Sequence, residues 1–160
     1  MKIRDARVAD APAACQVIRR SIIELCAADH QNDPAILAKW LANKTPEIVA
    51  SWITQSANSV LLATEGDDIL GVGSVTDAGR ITLNYVSPDA RFRGVSRALL
   101  NALEARAAER GNARCTLNST ETARRLYLTA GYVEAGPPAG DFGTQAGYPM
   151  TKDLTPASNE

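Results

Sequence analysis

The chain has 160 residues, a length that suits one domain built around a single hydrophobic core. Hydrophobic residues make up 45% of it and charged residues 22%, the balance of an ordinary globular protein. The formal net charge is −1, which excludes a global field that would attract nucleic acid or an anionic membrane. Any affinity for phosphate groups must therefore come from a local site.

The cysteines and the single histidine do not form a metal-binding pattern. Cys15, Cys26 and Cys115 are widely spaced, no C-x-x-C occurs, and His30 stands alone, so no metal is expected. The cysteines are interpreted as small apolar core residues in a reducing compartment. Because the N-terminus lacks a signal-peptide pattern and no segment has the ~20 apolar residues of a membrane span, a cytoplasmic protein is expected.

The first half of the chain predicts one strand and three helices. Residues Lys2–Arg4 have a short strand pattern, and Asp10 to Cys26 has apolar residues at the 3.6-residue period of an amphipathic helix. Two further helices begin at Asp33-Pro34 and at Thr45-Pro46, where Thr45 suits the N-cap and Pro46 the first helical position.

The second half predicts a meander followed by alternating helices and strands. The predicted elements are strands at Ser59–Thr64, Ile69–Val75 and Ile81–Val86, a helix at Gly94–Arg110, a strand at Arg114–Leu117, a helix at Thr120–Ala130, and strands at Tyr132–Val133 and Tyr148–Lys152. The order β-ααα-βββ-α-β-α-ββ predicts an α/β (α+β) fold, with a mixed central sheet and helices on both faces. We expect one domain over residues 1–154 and a C-terminal tail at 155–160.

The segment Arg91–Arg97 has the features of an anion site. A strand leads into a loop and the first turn of a helix, where unpaired backbone N–H groups lie at the positive end of the helix dipole. Gly94 permits close approach of a ligand, Ser96 adds a hydroxyl group, and three arginines match phosphate oxygens. The alternative is a solvated surface loop. The segment lacks the glycine and lysine pattern of a P-loop and the G-x-G-x-x-G of a dinucleotide fold.

Two motifs in the chain resemble those of the GCN5-related N-acetyltransferase (GNAT) superfamily. Arg91-x-x-Gly94-x-Ser96 is similar to its R/Q-x-x-G-x-G/A loop, with serine as a departure in the last place. The segment Leu117–Tyr132 is similar to its strand, asparagine turn and helix ending A-x-x-F/L-Y-x-x-x-G-F/Y. The residues in register there are Ala123, Leu126, Tyr127, Gly131 and Tyr132.

The resemblance implies a mostly antiparallel sheet of about seven strands and acetyl-CoA as co-substrate. It implies that strand Ile81–Val86 carries a bulge and splays from Arg114–Leu117, so that the pantetheine arm fills the gap. A backbone N–H there could stabilise the developing oxyanion. The residues implied to contact the cofactor are Asn84, Tyr85, Val86, Arg91, Phe92, Arg93, Gly94, Val95, Ser96, Arg97, Asn118 and Tyr127. The side of the strand that Asn84 faces is left open.

Tyr127 is the candidate catalytic residue. Acyl transfer from a thioester expels a thiolate, and a phenol with a reference pKa of about 10 can donate a proton to it. The alternative is an aromatic core residue. Asn118 has two equal interpretations, either as a partner of the pantetheine amides or as the cap of the next helix.

The usual base of the family is missing. Many members place a glutamate near the start of the strand where this chain has Arg80, and no carboxylate occurs between Asp77 and Asp89. The acceptor amine must then bind neutral or lose its proton to another group. The candidate groups lie in the N-terminal helices: Glu24, Asp29, His30 and Asp33.

The acceptor pocket of the family lies between the early helices and the last loop. Trp40 and Trp52 are expected in the core or in the wall of that pocket, and the Gly/Pro-rich loop Gly136–Gly147 would act as a lid. The leading hypothesis is an N-acetyltransferase in which a primary amine attacks acetyl-CoA directly, or a longer acyl-CoA. A non-catalytic acyl-CoA sensor is the alternative, and nucleic-acid binding by the arginines is a weak third. A homodimer is also compatible with the family, and no feature of the sequence determines the oligomeric state.

Overall fold

The computed structural model describes residues 1–139 and 147–154 of the chain. The middle of the Gly/Pro-rich loop and the predicted tail at 155–160 lie outside these residues. The elements are β1 (Lys2–Asp5), α1 (Ala11–Leu25), α2 (Ala27–His30), α3 (Pro34–Leu41), α4 (Pro46–Thr54), β2 (Asn58–Glu65), β3 (Asp68–Thr76), β4 (Arg80–Val86), α5 (Val95–Glu109), β5 (Arg114–Ser119), α6 (Arg124–Thr129), β6 (Val133–Glu134) and β7 (Tyr148–Asp153). No helix of the described ranges is long and apolar enough to cross a bilayer.

The strands form a single seven-stranded sheet in the order β1-β2-β3-β4-β5-β7-β6. Every neighbouring pair is antiparallel except β4 and β5, which are parallel because α5 forms a crossover between them. The predicted fold class, a mixed and mostly antiparallel sheet with helices on both faces, is confirmed.

Each face of the sheet has its own hydrophobic core. One core packs α5 and α6 against the sheet through Leu99, Leu103 and Tyr132. The other packs α1, α3 and α4 against the opposite face through residues such as Ile22 and Trp40. Cys15, Cys26 and Cys115 are buried and unpaired within these cores, which agrees with their interpretation as structural residues.

Helix α5 lies unusually close to β3. A Cβ atom at Gly71 would come within 2.7 Å of Leu99 Cδ1, and one at Gly73 would come within 2.9 Å of Leu103 Cδ1. A side chain at either position would force these leucine side chains, or the helix that carries them, to move. The two glycines therefore allow α5 to pack closely on β3.

The N-caps of α3 and α4 follow the predicted pattern. Asp33 accepts hydrogen bonds from Ala35 N at 2.8 Å and Ile36 N at 3.4 Å, and Thr45 accepts one from Ile48 N at 3.2 Å. These caps end the two connecting loops of the N-terminal helices.

Three details differ from the sequence prediction: an additional helix, the start of α6 and the start of β6. The one-turn helix α2 was not predicted, because its four residues are too few to show a helical period. Helix α6 begins at Arg124 rather than at Thr120, because residues 121–123 form a turn before it. In this turn Thr120 Oγ1 accepts a hydrogen bond from Ala123 N at 3.0 Å. Tyr132, predicted to begin a strand, instead has a side chain only 2% exposed just before β6.

Candidate active site

The parallel strands β4 and β5 separate after a short contact. Their pairing consists of Arg80 with Thr116 and Ile81 with Leu117. The pairing of β4 with β3 shifts by one residue at the same point, so that Thr82 is an extra residue, a β-bulge. Its hydroxyl group forms a short hydrogen bond with Ser74 of β3. The structure thus contains the bulged strand and the gap that the family resemblance implied.

The loop before α5 has two residues with left-handed backbone angles. Phe92 has a φ of 62° and Gly94, the N-cap of α5, has a φ of 78°. Apart from its chain neighbours, no atom of the described residues lies within 4 Å of the position that a Cβ of Gly94 would occupy. Glycine is therefore needed there for its backbone angle, and the space beside it is open within that part of the chain. The helix begins with a hydrogen bond from Ala98 N to Gly94 O at 3.0 Å. The N–H groups of Val95, Ser96 and Arg97 precede this bond at the positive helix end.

The three arginines of the loop are not equivalent. The guanidinium group of Arg91 lies 4.6 Å from the ring centroid of Phe92, whose side chain is 93% exposed. Arg93 forms a salt bridge with Glu65 at 2.7 Å. Arg97 is exposed and forms no salt bridge with any residue of the described ranges. Arg91 and Arg97 are therefore the guanidinium groups available to an anion, whereas Arg93 must first leave Glu65.

Asn84 faces α5, which settles the side that the sequence left open. Its Nδ2 donates a hydrogen bond to Ser96 O at 3.4 Å. Its Oδ1 is buried and has no hydrogen-bond partner among the described residues. A buried carbonyl oxygen of this kind is costly unless a ligand or water satisfies it.

Tyr127 lies beside Asn84 and is 6% exposed. Burial raises the pKa of its hydroxyl group to about 12, and the neighbouring Asn84 amide opposes this shift. Its ring packs edge-on against Tyr132, with the ring centroids 5.6 Å apart. Tyr127 is thus a buried core residue whose protonated phenol lies beside β4.

Tyr85 points to the opposite face of β4 from Asn84. It packs against the core that contains α1, α3 and α4, and burial raises the pKa of its hydroxyl group. Val86 packs on the α5 side. Asn84 and Val86 therefore face α5, whereas Tyr85 between them faces the cavity described next.

A cavity of about 710 Å³ lies between the N-terminal helices and the strands β3, β4 and β5. Trp40, which is 3% exposed, and the half-buried Trp52 both line it, so these residues belong to the core and to the cavity wall. Asn118 and Gly147 lie at its edge near the end of β5. Ala139 and Gly147 exchange two backbone hydrogen bonds, of 2.9 and 2.7 Å. The predicted lid between them lies mostly outside the described residues.

The turn before α6 is held by Asp29 and Thr120. Asp29, 3% exposed, accepts hydrogen bonds from Glu121 N at 2.6 Å, Thr122 N at 3.1 Å and Thr122 Oγ1 at 2.5 Å. These contacts hold the turn that precedes α6, and Asn118 lines the cavity nearby.

The structure gives each candidate base a structural contact. Glu24 is exposed and pairs with Arg20 at 3.0 Å, while Asp29 and Asp33 accept backbone N–H groups at helix starts. His30 is fully buried: its Nε2 lies 2.9 Å from Ile22 O and its Nδ1 accepts a hydrogen bond from Asn32 N at 2.9 Å. Only Asp29 of the four lines the cavity. The prediction of a base among them finds no support in these contacts.

Lys44 is the feature of the site that the sequence did not reveal. It lines the cavity, is 4% exposed, and donates hydrogen bonds to Trp40 O at 3.3 Å and Asn43 Oδ1 at 2.6 Å. Burial lowers the pKa of its amine to about 8. A lysine after an apolar helix is usually exposed, so no local sequence pattern indicates that Lys44 is buried.

The chain matches the family model described as an acetyltransferase (GNAT) domain over residues 26–154. It is also similar to solved structures. A GCN5-related N-acetyltransferase from Rhodopseudomonas palustris is 26% identical, with a TM-score of 0.84 over 96% of this chain and 95% of that one. Another from Kribbella flavida is 25% identical, with a TM-score of 0.71 over 96% and 97%.

A third solved structure was determined with coenzyme A. This PaiA N-acetyltransferase from Thermoplasma acidophilum is 16% identical, with a TM-score of 0.82 over 96% of this chain and 98% of that one. Among curated protein sequences, none matches the chain.

Proposed function

Since the chain belongs to the GNAT acetyltransferase family and is an acyltransferase, we propose that it transfers the acetyl group of acetyl-CoA to a primary amine. The amine nitrogen attacks the thioester carbon directly, a C–N bond forms and the C–S bond breaks. The observation that carries the proposal is the gap between β4 and β5, with Tyr127 against Asn84 of β4. The cavity reaches both strands where they diverge.

The loop before α5 fits the pyrophosphate of the co-substrate. The open space beside Gly94 adjoins the first N–H groups of α5. Arg91 and Arg97 form no salt bridge within the described ranges and can add charge-assisted hydrogen bonds. The orphaned Oδ1 of Asn84 would accept a hydrogen bond from an amide N–H of the pantetheine arm rather than bind the pyrophosphate. When bound, acetyl-CoA supplies an activated acetyl group as a thioester.

Tyr127 is assigned the role of general acid. With a pKa of about 12 its hydroxyl group is protonated throughout the neutral range, so it can give a proton to the departing thiolate but cannot act as a base. A backbone N–H of β4 facing the gap would stabilise the negative charge on the acetyl oxygen.

The amine is proposed to reach the thioester already neutral. Glu24, Asp29, His30 and Asp33 are held in structural contacts, and Arg80 occupies the place of the family's glutamate. An alkylamine with a pKa near ~10.4 has roughly one molecule in 2,500 neutral at pH 7. The rate should therefore rise with pH until the free amine is deprotonated.

The test is release of coenzyme A thiol with acetyl-CoA and a panel of primary amines, beside calorimetric binding of acetyl-CoA. Amine-dependent thiol release is the expected result. Binding of acetyl-CoA with no turnover on any amine would instead favour the sensing module and contradict the proposal. Longer acyl-CoA thioesters in the same assay define the acyl group.

A further inference from the structure

The cavity wall carries two cationic side chains from different parts of the chain. Lys44 comes from the segment after α3 and is buried in the wall. Arg80 is the first residue of β4 and is exposed toward the same space. Both charges border the region where an acceptor must lie to reach the gap between β4 and β5.

The carboxylates of the same wall are already occupied. Asp29 accepts three hydrogen bonds from Glu121 and Thr122. Asp77 lies 3.9 Å from Arg110 in a salt bridge at the outer edge. Both carboxylates are therefore held by protein groups, rather than left as the acceptors for a cationic ligand.

Arg80 keeps its hydrogen-bonding capacity for a ligand. Its guanidinium group makes no hydrogen bond or salt bridge with any residue in 1–139 or 147–154, although its backbone N–H donates to Thr76 Oγ1. Arg114, an exposed arginine outside the cavity, is by contrast paired with Asp153 at 3.0 Å. A planar guanidinium group matches both oxygens of a carboxylate.

The rest of the wall is suited to an apolar group. Trp40 and Trp52 present aromatic surface, and Leu83 of β4 lines the cavity within the same hydrophobic cluster. Flat aromatic walls and a few convergent charges are typical of sites for small ligands.

We propose that the amine acceptor carries a carboxylate, bound by Arg80 and Lys44, and an apolar part held between Trp40 and Trp52, as in an apolar amino acid. This inference rests on the proposed function, because it names the substrate class of that site. Nearby positive charge also disfavours the ammonium form of the acceptor and so enlarges its neutral fraction. Polycationic amines are disfavoured at the same wall.

The test uses product-like ligands that contain no titratable amine. N-acetyl amino acids with apolar side chains are compared with their C-terminal amides, which differ only in the carboxylate. Binding is measured by tryptophan fluorescence in the presence of coenzyme A, since the only two tryptophans of the chain both line the cavity. We expect at least one acid to bind at least about tenfold more tightly than its amide, the scale of a single charge-assisted pair.

Variants assign that preference to its residues. Arg80→Gln, at an exposed position that does not endanger folding, and Lys44→Met should each reduce the preference for the acid several-fold. Lys39→Met and Arg114→Gln, which alter exposed cations outside the cavity, should leave it unchanged. If no acid binds better than its amide, including the case in which neither binds, the inference is wrong.

The two proposals fail in different ways. Thiol release with neutral or polycationic amines, without a preference for acids, would keep acetyl transfer and overturn the carboxylate site. A preference for acids in binding, without thiol release from any amine, would keep the carboxylate site and overturn acetyl transfer.

Discussion

The backbone N–H of Glu121 donates a 2.6 Å hydrogen bond to the carboxylate of Asp29, 92 residues earlier in the chain. Thr122 adds two more donors to the same carboxylate. This contact joins α2 to the turn that starts α6, and Tyr127 lies on α6. The position of the proposed acid therefore depends on a residue of the N-terminal helices.

Replacing Asp29 with asparagine should destabilise the fold. Asparagine keeps the shape but turns one acceptor into an NH₂ group that faces donors, and the charge-assisted hydrogen bonds are lost at a buried site. We expect a loss of about 2–3 kcal/mol in the free energy of unfolding by urea, together with a lower kcat. Asp33→Asn is the matched control, because asparagine caps a helix as well as aspartate does. Equal stability of the two variants would contradict this role of Asp29.

Tyr127→Phe should lower kcat by about 10²-fold, within the range for loss of a general acid, and leave the dissociation constant of acetyl-CoA nearly unchanged. Because the pKa of Tyr127 is raised to about 12, its deprotonation would lower the rate only near that pH. The control is Tyr132→Phe, whose hydroxyl group instead donates to Glu104 at 2.9 Å. If the Tyr127→Phe variant kept the full kcat, Tyr127 would not be the general acid.

Gly94→Leu should weaken acetyl-CoA binding at least about tenfold, because the side chain enters the space where the pyrophosphate is proposed to lie. Gly66→Leu is a close control: Gly66 also has a positive φ, 59°, and no atom of residues 1–139 or 147–154 beyond its chain neighbours lies within 4 Å of its Cβ position. Both substitutions should cost about 1–2 kcal/mol of backbone strain in thermal unfolding. Calorimetric titration with acetyl-CoA then separates strain from contact, and equal affinity of both variants would place the pyrophosphate elsewhere.

The sequence predicted those features that depend on nearby residues. The helix that begins near Gly94 and the strand before it follow from local patterns, as do the start of α3 at Asp33-Pro34 and the N-cap Thr45. The bulge at Thr82 and the gap beside it were predicted through the family resemblance alone. No periodicity marks an extra residue in a strand of seven.

The features that depend on distant partners could not be predicted. Asp29 was a candidate base from the sequence, but its carboxylate accepts the backbone N–H of Glu121 in the turn before α6. Arg93 resembles the other arginines of its loop, yet Glu65 from the β2–β3 turn pairs with it. Lys44 looks exposed in a polar stretch but is buried under Trp40. Each case depends on tertiary packing, which a single sequence does not encode locally.

The free energy of unfolding should rise with pH between about 8 and 10.5 because of Lys44. Burial lowers the pKa of this amine from 10.5 to about 8, so the unfolded chain binds more protons than the folded one in that window. The full shift corresponds to about 3 kcal/mol, an upper bound for a single buried lysine. Urea unfolding across this range should show a rise that Lys44→Met abolishes and that Lys39→Met, an exposed lysine of α3, retains. An acid ligand bound at Arg80 and Lys44 would restore the charge of the amine, so the same rise should diminish when that ligand is present.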